Sequence, residues 1–185
     1  MAASHRRSTT RLSVRHATSG NNAVVLSNRQ RKTAICSKTL KRFFLAAMDA
    51  LEMTDSDISL AIVSDKAIAK LHESWLGISG PTDVLSFDLS SPEYAQHPRR
   101  IRRHGIRGEI IASAETASRE ARFYCWSLQH ELTYYLIHGL LHLAGYDDRT
   151  PSERIAMRKK ERSVMKAIGL PPPPRRRPKT TCDQR

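Results

Sequence analysis

The segment LQHELTYYLIHGLLHLAG, residues 128–145, constrains this chain more than any other. It is the longest apolar stretch, it contains no proline, and it ends on Gly145. Its residues predict a helix that is apolar on most sides, and such a helix must be covered by other elements of a core. Two histidines, His138 and His142, lie within it. Four residues apart, they stand one turn apart on the same face. Buried imidazoles need hydrogen-bond partners, and one shared metal ion would satisfy both. With eight histidines in 185 residues the pair alone is weak evidence, so its setting must decide.

The setting supplies a third ligand. Gly145 suits the left-handed conformation that ends a helix and turns the chain back. The residues after it then return beside the helix end, where Asp148 follows His142 by six positions. His138, His142 and Asp148 make a candidate site of two imidazoles and one carboxylate. Three protein ligands with an open position is the pattern of catalytic zinc, whereas structural zinc has four. Asp147 reads better as a cap for the following helix, with a general-base role as its weaker alternative. The spacing H-x3-H-x2-G-x2-D matches the ligand spacing of metzincin-type proteases, but those place a glutamate directly after the first histidine. Gly139 occupies that position. A metallopeptidase is therefore the remote reading.

The rest of the chain predicts a small mixed β-sheet with helices packed on it, a single domain of class α+β. Strands are expected at 23–27, 57–65, 82–90 and 108–113, and helices at 37–53, 66–77, 114–125, 128–145 and 150–170. Thr150 and Glu153 are placed to cap the last helix. Residues 91–108 form a long loop holding Arg99, Arg100, Arg102, Arg103 and Arg107. Thr82 and Ser86 read first as strand residues, and Trp75 and Tyr146 as core residues. Substrate contact is the second reading for all four.

The net charge is +13, and it is unevenly placed. Residues 1–48 hold ten Lys and Arg and no acid, and residues 171–185 hold five and one, which leaves 16 bases and 17 acids between. A basic N-terminal tail (1–22) and a Pro/Arg-rich C-terminal tail (171–185) are expected to be disordered around a domain at 23–170. Basic ends suit a polyanion such as RNA. No apolar run approaches the ~20 residues of a membrane span. Cys36, Cys125 and Cys182 are scattered and odd in number, which predicts reduced thiols and no disulfide framework. A cytoplasmic location is expected, with an organelle as the alternative because residues 1–20 have a transit-peptide composition.

Three segments resemble one known family. HGLLHLAGYDD (138–148) is similar to the HGxLHLxGYDH signature of the YbeY endoribonucleases. GPTDVLSFDL (80–89) resembles that family's PT[ND]VLSFP segment, and RGEIIASAETASREA (107–121) resembles its GDI strand and following helix. The segments stand in family order, and the resemblance spans about residues 23–170. It implies a zincin-like α+β fold and a metal-dependent endoribonuclease, written with zinc and specific for single strands. It also implies a role in 16S rRNA 3′-end maturation and ribosome quality control, with rRNA and the ribosome as partners. On that reading the metal ligands are His138, His142 and Asp148, and RNA contacts are assigned to Arg99, Arg100, Arg102 and Arg103. Two positions depart from the family. Asp148 stands where the family carries histidine, which admits another divalent metal such as manganese or iron. Leu76 follows Trp75 where the family carries an arginine implicated in RNA processing. Leu76 keeps open an alternative: a non-catalytic, ribosome-associated RNA-binding protein with a structural metal.

Overall fold

The computed structural model describes residues 21–90 and 101–173. The expected tails lie almost wholly outside these residues, as do Arg99 and Arg100. Strands β1 (Ala23–Asn28), β2 (Asp57–Val63), β3 (Val84–Asp88) and β4 (Arg107–Ser113) form one sheet in the order β1-β2-β4-β3. β1, β2 and β4 run parallel, while β3 pairs antiparallel with β4 at the edge. Among the described residues five helices accompany it: α1 (Ser37–Ala50), α2 (Asp65–Leu76), α3 (Ala114–Phe123), α4 (Leu128–Leu143) and α5 (Pro151–Ala167). This is the expected α+β class with a small mixed sheet.

Element ends follow from capping. The hydroxyls of Ser64, Ser113 and Ser127 accept from the backbone N–H three residues on and start α2, α3 and α4. β2 therefore stops at Val63, two residues short of the expected end, because Ser64 is already a cap. Thr150 and Glu153 form a reciprocal capping box, with Pro151 in the first turn of α5. The cap of α5 is thus Thr150, and the capping role expected for Asp147 is corrected.

Alternating strand residues divide the interior into two cores. Ile58, Leu60 and Ile62 of β2, with Ile110 and Ala112 of β4, join the large core made with α1, α4 and α5. Ala61, Val63, Leu85 and Ile111 join a smaller core closed by Ile68 of α2. α4 lies across β3 and β4 and touches α1, α3 and α5. Leu132, Leu136, Ile137, Leu140 and Leu141 of α4 are fully buried, each contributing about 1.5–3 kcal/mol by removal from water. Gly139 lies where α4 comes close to the sheet. A Cβ there would sit 2.7 Å from Ile110 Cγ2.

No helix among the described residues is long and apolar enough to cross a membrane. Cys36 is a free, exposed thiol, but Cys125 is disulfide-bonded. The expectation of reduced thiols is corrected at Cys125, since distance along the chain sets no distance in space.

Candidate metal centre

His138 and His142 stand on one face of α4, as their spacing requires, with ring centroids 4.6 Å apart. Their Nε2 atoms face each other at 3.0 Å. Each ring is held from its other nitrogen. His138 Nδ1 lies 2.7 Å from Glu161 Oε1 on α5, and His142 Nδ1 lies 3.1 Å from the carbonyl oxygen of Tyr146. Both partners are acceptors, so a neutral ring at either position carries its proton on Nδ1 and turns the lone pair of Nε2 toward the other ring. Two lone pairs facing at that distance leave a place that only a proton or a cation fills. An ion about 2.0–2.1 Å from each nitrogen spans it.

The turn after α4 brings the remaining candidate ligand round. Gly145 takes φ 94°, the Gly145 N–H donates to the His142 carbonyl (2.9 Å), and the Tyr146 N–H donates to the Leu141 carbonyl (3.0 Å). The chain folds back far enough for the Tyr146 carbonyl to meet the His142 ring. Asp147 then stiffens the turn. Its Oδ1 accepts from the Asp148 N–H at 2.8 Å, and its Oδ2 meets Arg149 Nε at 3.2 Å. Ligand atoms of His138, His142 and Asp148 lie within 4.8 Å of one another, and all three side chains are partly buried. The donor set fits a divalent cation.

The electrostatics of the two rings diverge. Burial opposes the imidazolium form of His138, but the hydrogen bond and charge of Glu161 outweigh it, with Asp83 and Asp148 adding, so its pKa lies above the ordinary value. Burial and the neighbouring His138 push the pKa of His142 down. Glu161 was not among the residues singled out from sequence. One sign was available: on the inward stripe Met157, Glu161, Val164, Met165 it is the single charge.

The other candidates are dispersed. Arg102 reaches the C-terminal end of α4, where its guanidinium donates to the Leu143 carbonyl (2.7 Å) and pairs with Asp88. Its side chain is 12% exposed, against 57% for Arg103, which pairs with Glu52 at the surface. Thr82 donates to Asp83, whose carboxylate accepts from the Val84 N–H. Ser86 sits in the β3–β4 ladder opposite Ile110. Tyr146 packs against the large core as expected. Trp75 does not: it is 67% exposed and meets Phe87 edge-on, so its core reading is corrected. A cleft of about 380 Å³ opens between the 81–83 loop, α3 and α4; Asp83, Glu131 and Tyr134 are among its lining residues. Tyr134 is one turn before His138.

Fold and site together define an α+β protein with a histidine–carboxylate group, built on a single helix and the turn after it, that could hold a metal ion. A sequence model of the family described as Endoribonuclease YbeY matches residues 25–169, and the chain belongs to that family. An Endoribonuclease YbeY of Anaeromyxobacter sp. is 36% identical over 147 residues, covering 80% of this chain and 72% of the relative. One from Desulforamulus reducens is 34% identical over 152 residues, covering 80% and 98%. The solution structure of a Thermotoga maritima protein has the same fold, with TM-score 0.50 and 24% identity over 78% of this chain and 89% of its own.

Proposed function

We propose that this chain is a metal-dependent endoribonuclease that cuts single-stranded RNA. Its setting is the cytoplasm, in maturation of the 16S rRNA 3′ end and in ribosome quality control. The observation that supports this reading most is the convergence of His138, His142 and Asp148 in a chain of this family. The first-choice ion is Zn²⁺, one per chain, with manganese or iron admitted by the carboxylate of Asp148. A bound divalent ion supplies Lewis acidity at a phosphoryl oxygen and a water of lowered pKa.

The chain's own residues divide the remaining work. The two Nε2 atoms and Asp148 hold the ion, and the Tyr146 carbonyl fixes the His142 ring. Asp148 adds negative charge that a histidine ligand would not, which lowers the acidifying pull on a bound water. Position 139 has no room for a protease-type glutamate: β4 fills the space a side chain would need. That observation turns the reading away from peptide hydrolysis. The basic ends attract polyanionic RNA by counterion release.

Leu76 supports a second reading. It is exposed at the end of α2 and offers no charge where the family carries arginine. On that reading the chain binds RNA at the ribosome without cutting it. Purified protein incubated with single-stranded fragments of 16S rRNA separates the two. Cleavage that is lost on chelation and in His142→Ala is expected. Cleavage that survives both overturns the metal-enzyme reading. Salt-sensitive binding without cleavage favours the second.

A further inference from the structure

The carboxylate of Glu161 is 2% exposed, on a stripe of α5 whose other members, Met157, Val164 and Met165, are apolar. Burying a carboxylate costs several kcal/mol unless its partners repay it, and an apolar residue of similar volume often does as well or better. Stability alone therefore gives little reason for an acid at this position. Both of its partners lie on α4, one turn apart: His138 Nδ1 at 2.7 Å and the Tyr134 hydroxyl, which donates to Oε2, at 3.2 Å. One oxygen is given to the imidazole and the other to a phenol that anchors the carboxylate.

Resting on the metal reading given above, we propose that Glu161 is a positioning residue of the metal centre: from a helix that contributes no ligand, it holds His138 in the tautomer and ring orientation that present Nε2 to the ion. The comparison within the site supports this. His142 is held by a backbone carbonyl three residues into the turn that Gly145 creates, a partner fixed by the chain's own course. His138 lies a full turn deeper in the helix, where every backbone carbonyl is engaged in the helix ladder. Its Nδ1 has no local acceptor and needs one from another element. Glu161 supplies it across 23 residues of sequence. Such partners of metal-bound imidazoles fix the tautomer and raise the basicity of the ligand, and their loss typically weakens metal binding about 10–100-fold. There is also a matching of charge. Asp148 by contact and Glu161 through the imidazole bring two negative charges to a dipositive ion.

The alternative is a strut that merely ties α5 to α4. Two variants of the full chain separate these roles. Glu161→Met fills the same space without an acceptor, and Glu161→Gln retains an acceptor oxygen without the charge. Zn²⁺ and Mn²⁺ affinities are measured by competition with a chelator, and the His138 tautomer of the metal-free protein by imidazole ¹⁵N NMR. The expected result is a folded Glu161→Met whose affinity falls about 10–100-fold and whose His138 samples both tautomers. Glu161→Gln is expected to stay within a few-fold of wild type with the Nδ1–H form kept. Wild-type affinity and an unchanged tautomer in Glu161→Met, with only thermal stability altered, would overturn the proposal. So would a wild-type protein that binds neither ion, and that result would sink the metal reading as well. A wild type that binds metal tightly but cuts no RNA overturns only the enzymatic reading, since affinity and tautomer report on Glu161 independently of RNA.

Discussion

On one face of the sheet, α1, α4 and α5 enclose a core that includes Phe44, Met48, Leu132, Leu136 and Met165, all nearly inaccessible to water. On the other, α2 is the one helix among the described residues that packs on Ala61, Val63, Leu85 and Ile111, and Ile68 is its one fully buried residue. The candidate metal centre belongs to the first face. Its histidines sit on the helix with the most buried neighbours, and Glu161 comes from a second helix of the same core. Trp75, Leu76 and Ile78 end the other face, exposed. Rigidity is placed around the two histidines, and the exposed Leu76 falls where the packing is thin.

The largest expected effect tests the thick face. Phe44→Ala removes a fully buried ring from α1 and is expected to cost about 3–5 kcal/mol, read as a shift in the denaturation midpoint. The same face should respond to pH through Glu131. Burial raises this carboxyl to about 7, against hydrogen bonds from Trp126 and Tyr135 that favour its charged form, with Glu120 and Asp83 adding to the rise. A raised folded value means the contribution is fully present below the ordinary 4.5 and is lost as pH climbs through about 7. Stability should therefore fall by up to about 3 kcal/mol between pH 4.5 and pH 8. Glu131→Gln should flatten that slope; an unchanged slope would show that the carboxyl is not held neutral. On the thin face, Ile68→Ala should cost about 2 kcal/mol, the low end for a buried aliphatic residue, because Ala67, Leu71 and Phe87 are only partly buried and free to close in. A loss equal to that of Phe44→Ala would erase the contrast between the faces.

What could be read from the sequence follows the range of the interactions. The helix over 128–143, its two histidines, the turn at Gly145 and the return to Asp148 all lie within twenty-one residues, and local periodicity and turn chemistry are enough to place them. The capping box at Thr150 was legible for the same reason. Glu161 was not, because its tie to His138 exists only once α5 docks on α4. The arginine run shows the same limit at shorter range. Arg102 and Arg103 are neighbours in sequence, yet one turns in to Leu143 and Asp88 while the other stays at the surface with Glu52. Trp75 was misread because residue type predicts burial only on average. It lies in the last turn of α2, where its one ring contact is with Phe87 at the sheet edge and most of the residue stays in water.

Trp75 also gives the smallest expected effect. Its ring meets Phe87 edge-on at 5.4 Å, and such a pair is worth about 0.5–1.5 kcal/mol when well packed. With 67% of the residue in water, most of its apolar surface is never removed from solvent. Trp75→Ala should therefore lower stability by under about 1 kcal/mol, against about 3–5 kcal/mol for an aromatic ring in a core. Denaturation of the variant beside Phe44→Ala checks this directly. A small loss would mean that the α2 end contributes almost nothing to holding the fold. Trp75, Leu76 and Ile78 would then be free to change without disturbing the histidines on the opposite face. A loss above about 2 kcal/mol would mean that the end of α2 is covered in solution, and the thin face would have to be counted as part of the frame that holds the site.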